Sequence, residues 1–149
     1  MSGFLSPLHI EEIPGDNCRW RLLEPCIYRL GSPDGTEWVD VPTSFVTDFG
    51  SIPQLFWNLP GLSPFGKLRR AYVVHDKLYV APVVRTATSA RAIDRAEADR
   101  ILLEAAEVLG ANWLNRRIIY RGVRVGGWMA WNGHRKAQAE KAAREAGCV

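Results

Sequence analysis

Residues 66–79, GKLRRAYVVHDKLY, place the ionisable pair His75 and Asp76 in the middle of an otherwise apolar segment. Side chains typical of a buried helical face recur along it at three- and four-residue spacing: Leu68, Ala71, Tyr72, His75 and Tyr79. Ser63-Pro64 is a helix-start signal, and Pro82 ends the segment. The sequence therefore predicts one helix that carries His75 on its inward face.

A second helix follows a polar stretch, RTATSA, at 85–90. Thr88 or Ser89 can cap its start, because a hydroxyl oxygen accepts a hydrogen bond from the first free backbone N–H groups. Gly110 supplies a C-terminal stop after Leu109. We expect the two helices to be joined by this polar loop.

Two aspartates of this second helix fall on its apolar flank. Asp99 is followed one turn later by Leu102 and Leu103, and Asp94 aligns with Ala98. A carboxylate in such a place destabilises the fold strongly unless it is paired, hydrogen-bonded or metal-bound. The pattern therefore predicts a partner for Asp99.

His75 is the partner that the helix order indicates. Two helices joined by a short loop normally pack as an antiparallel pair, which can bring His75 opposite Asp99. If Asp99 accepts the imidazole N–H, the second ring nitrogen becomes a base that can activate water or a hydroxyl. The alternative is a buried, satisfied pair that fixes helix register without chemistry.

Asp76 and Asp48 form a candidate metal site. Asp48 lies where a predicted strand becomes a loop, and folding of the TDFGS segment over the helix would bring it near Asp76. Two carboxylates, with backbone carbonyls near Gly50, would give an oxygen shell suited to a divalent cation such as calcium. The alternative for Asp48 is a turn in which it bonds its own backbone.

The first third of the chain has the composition of short β-strands. Four segments are rich in branched and aromatic residues and are separated by turn signals: RWRLL, CIYRL, EWVDV and SFVTD. Asp34-Gly35 suits the positive φ angles of a tight hairpin. We predict a single α+β domain over 1–149, with an N-terminal antiparallel sheet of about four short strands over 1–60. Residues 61–149 are then mainly helical, with two packed helices and a basic C-terminal helix.

Charge is concentrated at the C-terminal end. Residues 110–149 carry eight Lys and Arg against two acids, so this part has a net charge of +6 and the rest of the chain −3. Such a segment can meet an anionic surface, either lipid or nucleic acid, or a protein contact inside an assembled particle, or it can be a solvated helix face. No apolar run approaches membrane-spanning length, and the first residues lack the pattern of a signal peptide. We expect a protein of the cytoplasm or of an assembled particle.

Several segments in order resemble a family of small uncharacterised proteins of tailed bacteriophages and prophages: VPTSFVTDFGSIPQLFW, AYVVHDKLY, DRAEADRILLEAAEVLG and RRIIYRGVRVGGW. The resemblance implies a virion or tail protein, with other virion proteins as partners and the virion or the host cytoplasm as location. It implies no particular activity.

HDKLY, followed by a helix that contains EAD, is also similar to the active-site helix pair of phospholipases A2. That resemblance implies His75 as general base, Asp99 as the acid that orients it, Tyr79 as a supporting hydrogen-bond donor and Asp76 as a calcium ligand. The expected activity is hydrolysis of an ester or another bond of the bacterial envelope. The competing expectation is a non-enzymatic virion connector.

Overall fold

The computed structural model describes residues 3–49, 63 and 66–146, with only the backbone of Asn17 and Cys18. The described residues form seven strands and three helices, which confirms the α+β class. The strands are β1 (Ile10–Ile13), β2 (Asp16–Leu22), β3 (Cys26–Arg29), β4 (Trp38–Val41), β5 (Val46–Thr47), β6 (Val83–Arg85) and β7 (Ala90–Ala92). The helices are α1 (Arg69–Val80), α2 (Arg95–Val108) and α3 (Trp113–Ala146).

The strands form two antiparallel sheets where the sequence predicted one. The first has the order β1-β2-β5 and the second the order β3-β4-β6-β7. The four predicted strands are present as β2 to β5, whereas β1, β6 and β7 were not predicted. The strands β6 and β7 lie between α1 and α2, where the sequence indicated a loop, and Trp38 of β4 pairs with Arg85 of β6.

The strands β3 and β4, in which buried and more exposed side chains alternate, form one side of the hydrophobic core. Cys26 and Tyr28 are buried on β3 and lie opposite Val41 and Val39 of β4, which are buried as well. Because side chains of a strand alternate between the two faces, one face of this sheet is apolar and packs against α1.

The connection between β3 and β4 differs from the predicted tight hairpin. The backbone N–H of Gly35 donates to the carbonyl oxygen of Ser32 at 3.0 Å, so a turn is present. The left-handed glycine, however, is Gly31, with φ of 75°. The loop over 30–37 is too long for a two-residue hairpin, and its change of direction therefore falls at another glycine.

The helix boundaries also differ from the prediction. The helix α1 begins at Arg69 rather than near Ser63, and Pro64 lies outside the described residues. The helix α2 begins at Arg95, because Asp94 is its N-cap and accepts from the backbone N–H of Glu97 at 2.7 Å. Asp94 is thus exposed and not on the buried flank.

Of the two predicted caps of α2, Thr88 and Ser89, neither is the N-cap, and Ser89 has another role. Thr86 and Ser89 hydrogen-bond each other across the β6–β7 turn, which leaves the start of the helix to Asp94. At the other end, Gly110 has φ of 81° and ends α2 as predicted.

The third helix, α3, is one continuous element of 34 residues that packs on both α1 and α2. Its buried residues are confined to the first part: Asn115, Ile119 and Val123. Among the described residues, no helix combines the length and the apolar character needed to cross a membrane.

Candidate functional site

His75 of α1 and Asp99 of α2 meet in the interior. Nε2 of the imidazole lies 3.0 Å from Oδ1 of the carboxylate, and the two side chains are 2% and 0% exposed. Periodicity places each residue on the inward face of its helix, and packing of α1 on α2 brings the faces together. The prediction that these two residues meet is confirmed, and their catalytic role stays a prediction.

Tyr79 lies one turn after His75 on α1 and belongs to the same network. Its hydroxyl donates to Oδ1 of Asp99 at 2.7 Å, and its ring centroid is 4.2 Å from that of His75. A carboxylate oxygen has two lone-pair directions, so Oδ1 can accept from both side chains. The arrangement fixes the orientation of the imidazole ring.

Two arginines bind the other carboxylate oxygen. Nη1 of Arg124, from α3, lies 3.1 Å from Oδ2 of Asp99, and Nη1 of Arg95 lies 3.7 Å from the same atom. Neither arginine was predicted from the sequence as a partner of Asp99. Arg95 precedes Asp99 by four residues, a spacing that indicates a pair within one helix, whereas Arg124 has no comparable signal.

Asp99 is held in its ionised form. Burial by itself would raise the pKa of this carboxyl, but hydrogen bonds from His75, Tyr79 and Arg124 outweigh burial and hold the pKa below its usual range. An ionised carboxylate can only accept hydrogen bonds, so the proton between the two groups belongs to Nε2 of His75. In a neutral imidazole the lone pair is then on Nδ1.

A cleft of about 470 Å³ lies beside this network. His75, Asp76 and Tyr79 line it from α1, Asp48 lines it from the residue after β5, and Gly126 lines it from α3. His75 is therefore a group that is almost fully buried in the protein and yet borders a cavity. The cleft is large enough for the reacting part of a small organic substrate.

Asp76 and Asp48, the candidate metal ligands, both border the cleft. The hydroxyl of Thr47 donates to Oδ2 of Asp76 and accepts from the backbone N–H of Phe49 at 3.2 Å, while Asp48 is exposed. Within 3–49, 63 and 66–146, no three His, Cys, Asp or Glu residues are grouped so as to hold a metal ion. Gly50 itself lies outside these residues, and calcium binding stays a prediction.

Gly127 allows α3 to pass directly over Tyr79. A Cβ atom at this position would lie 3.2 Å from Cζ and 3.3 Å from Cε1 of the tyrosine ring, and closer still to its hydroxyl oxygen. On the next turn, Trp131 packs edge-on against the same ring at 5.3 Å between centroids. The Gly126-Gly127 pair inside a helical segment is the sequence feature that could have predicted this close approach of α3 to another element.

The C-terminal end of α1 is capped by α3. Nη2 of Arg135 donates to the carbonyl oxygens of Tyr79 and Val80, each at 2.8 Å, and Nε2 of Gln138 donates to Val80 at 2.5 Å. The last carbonyls of a helix have no partner within the helix, so these donors satisfy them. The end of α1 that carries Tyr79 is thereby tied to α3.

The geometry defines the class of protein: an α+β domain in which three helices meet at a buried histidine–aspartate pair. The chain belongs to the DUF1353 family, described as a protein of unknown function, which it matches over residues 20–123. This range contains His75, Asp76, Tyr79 and Asp99 and ends one residue before Arg124. Neither the curated proteins nor the solved structures contain a match to this chain.

Proposed function

We propose that this chain is a phage or prophage protein, associated with the virion or its tail, that hydrolyses an ester or another bond of the bacterial envelope at His75. The observation that carries the hydrolytic part is that His75, bonded to Asp99 at 3.0 Å, borders a cleft of about 470 Å³. A histidine oriented by a carboxylate beside a cavity is the arrangement from which general-base catalysis proceeds.

In the proposed reaction, Nδ1 of His75 removes a proton from a water molecule as its oxygen bonds to the ester carbonyl carbon. Asp99 accepts the Nε2–H throughout and stabilises the imidazolium that forms, without taking the proton. The tetrahedral intermediate then expels the alcohol oxygen, which receives the proton from Nδ1. Water and ester are consumed, and an acid and an alcohol are released.

The negative oxygen of that intermediate needs a positive partner. A calcium ion bound by Asp76 and Asp48 would supply it at the edge of the cleft. Two carboxylates and water leave such a cation weakly held, so the proposal predicts that calcium is needed at high concentration. Removal of Asp76 would then weaken calcium dependence without breaking the pair of His75 and Asp99.

The phage context rests on the resemblance of the ordered segments and not on the site. It predicts that the protein is found in purified particles together with other virion proteins. Particle proteomics of a lysogen that carries this chain tests the location separately from the activity.

The decisive experiment replaces His75 by Asn and Asp99 by Ala and compares both with His9→Asn, an exposed histidine outside the cleft. Fatty-acid release from phospholipid vesicles and fragment release from peptidoglycan are measured with and without calcium, together with the melting temperature. We expect a folded His75→Asn protein to lose about 10²–10⁴-fold in rate, the usual contribution of a general base. Full activity in that variant, or none in the parent protein, contradicts the proposal.

A non-enzymatic virion connector is the second candidate function. It is favoured by the way Asp99 ties α1 to both α2 and α3 through His75, Tyr79 and Arg124. In that case the parent protein hydrolyses nothing, and each variant lowers the melting temperature. The two candidates therefore give opposite results in the same experiment.

A further inference from the structure

One face of α3 is exposed and combines apolar with basic side chains. The Trp/Arg face consists of Trp113, Leu114, Arg117, Arg121, Val125 and Trp128. At 100° per residue these six positions fall within about a third of the helix circumference. The buried residues Ile119 and Val123 lie on the opposite side.

The apolar members of this face are unusually exposed for their size. Trp113 is 62% exposed, Leu114 57%, Val125 76% and Trp128 54%. Large apolar side chains that adjoin one another on a surface mark a contact site, whereas isolated ones need no explanation. The guanidinium of Arg117 lies 4.8 Å from the ring centroid of Trp113, so apolar and cationic groups are interleaved and not segregated.

The charge of this face has one sign. From Trp113 to Ala139, α3 contains arginines and a lysine but no acidic residue, and its first acid is Glu140. Two copies of this face would repel each other, and a nucleic acid would leave Leu114 and Val125 in water. An anionic bilayer surface suits all three kinds of side chain on this face, the arginines, the tryptophans and the aliphatic residues. Arginines meet phosphates, tryptophans lie at headgroup level and aliphatic side chains enter the acyl boundary.

We propose that the Trp/Arg face docks on a phospholipid bilayer that carries anionic headgroups, with α3 lying in the plane of the membrane. From Trp113 to Trp128 the helix spans roughly 22 Å at 1.5 Å per residue. The residues of α3 that line the cleft, such as Gly122 and Gly126, lie on another side of the helix. Docking therefore leaves the cleft uncovered, and membrane binding is separable from hydrolysis.

The test is cosedimentation of the full chain with phosphatidylcholine vesicles that contain or lack phosphatidylglycerol. We expect binding only with the anionic lipid. Arg117→Gln combined with Arg121→Gln should lower the partition coefficient about thirty-fold, from the usual contribution of two basic residues at such a surface. Trp113→Ser combined with Trp128→Ser should also weaken binding and should remove the blue shift of tryptophan fluorescence.

The matched control is Lys136→Gln combined with Lys141→Gln, which removes the same charge from the exposed end of α3. Each lysine already faces an acid one turn later, at 4.0 Å from Glu140 and 3.8 Å from Glu145, so we expect no more than a few-fold change. An equal loss in this control would show attraction by net charge alone and overturn the proposal.

Three further outcomes also overturn it. They are failure of the parent chain to bind anionic vesicles, binding of DNA instead of vesicles with the same dependence on Arg117 and Arg121, and a concentration-dependent dimer that Trp128→Ser abolishes. Vesicle binding by His75→Asn should equal that of the parent chain. Vesicle binding by a parent chain that hydrolyses nothing would identify a failure of the active-site proposal alone.

Discussion

We expect Gly127→Ala to destabilise this protein, whereas Gly133→Ala, further along the same helix, should stabilise it. A Cβ at Gly127 meets ring atoms of Tyr79 at 3.2 and 3.3 Å, and a Cβ at Gly133 meets nothing within 4 Å. Tyr79 is 5% exposed, and its hydroxyl is bonded to Asp99. The ring therefore cannot turn away from the new methyl group without breaking that hydrogen bond.

The expected magnitude follows from three contributions. Replacing a helical glycine by alanine gains about 1 kcal/mol at either position. At Gly127 the added methyl group costs about 1–3 kcal/mol of overpacking. Loss of the hydrogen bond from Tyr79 to the charged Asp99 costs a further ~1.5–3 kcal/mol. The net effect at Gly127 is a loss of about 1.5–5 kcal/mol in the free energy of unfolding, against a gain of about 1 kcal/mol at Gly133.

Urea unfolding of both variants measures the difference, and a double-mutant cycle assigns it to the tyrosine. In a Tyr79→Phe background the hydroxyl is gone, so Gly127→Ala should cost less than in the parent chain, with a coupling of about 1 kcal/mol or more for residues in contact. If both alanines stabilise the protein equally, α3 does not lie against Tyr79 and the described assembly of the site is wrong.

Three other predictions concern separate parts of the same network. Because the pKa of Asp99 is held below its usual range, its ionised form stabilises the fold at neutral pH, and this stabilisation is lost as the pH falls below about 4. In urea titrations, the free energy of unfolding of Asp99→Asn should depend less on pH over that range than that of the parent chain. Arg135→Met should lower the free energy of unfolding by about 1–3 kcal/mol, since the carbonyls at the end of α1 lose a partly buried, charged donor. Lys136→Met, at the exposed neighbouring position, should change it little. Burial raises the pKa of the Cys26 thiol to about 11. In a variant that lacks the other two cysteines, iodoacetamide at pH 8 should therefore label the protein only when it unfolds. Rapid labelling of the native protein would contradict the burial of Cys26.

The sequence predicted the centre of the site because local periodicity decides which side of a helix is buried. His75 and Tyr79 lie one turn apart on an apolar face, and Asp99 lies on the apolar flank of the next helix. A buried carboxylate needs a partner, and the antiparallel packing of consecutive helices left His75 as the nearest candidate. The helical spacing of these residues and the cost of burying an unpaired carboxylate were therefore sufficient to predict that His75 and Asp99 meet.

The strands were harder to predict. The segment IEEI of β1 has two acids in the middle, and β6 and β7 have three residues each, too few to show a period of two. Their strand conformation depends on hydrogen-bonded partners, such as β4 for β6, which comes from the other half of the chain. Asp94 was misplaced for a related reason, since an aspartate at an N-cap and one on a buried flank have the same spacing to later apolar residues.

By itself, the sequence determined the α+β class, the inward faces of α1 and α2, the stop at Gly110 and a basic helix at the C-terminal end. Each of these follows from interactions between residues close in the chain. Only the tertiary structure decided that Arg124 binds Asp99, that Gly127 lies over Tyr79 and that a cleft remains beside His75. These depend on the path of α3 relative to two earlier helices, and contacts between residues distant in the chain leave no periodicity in either segment.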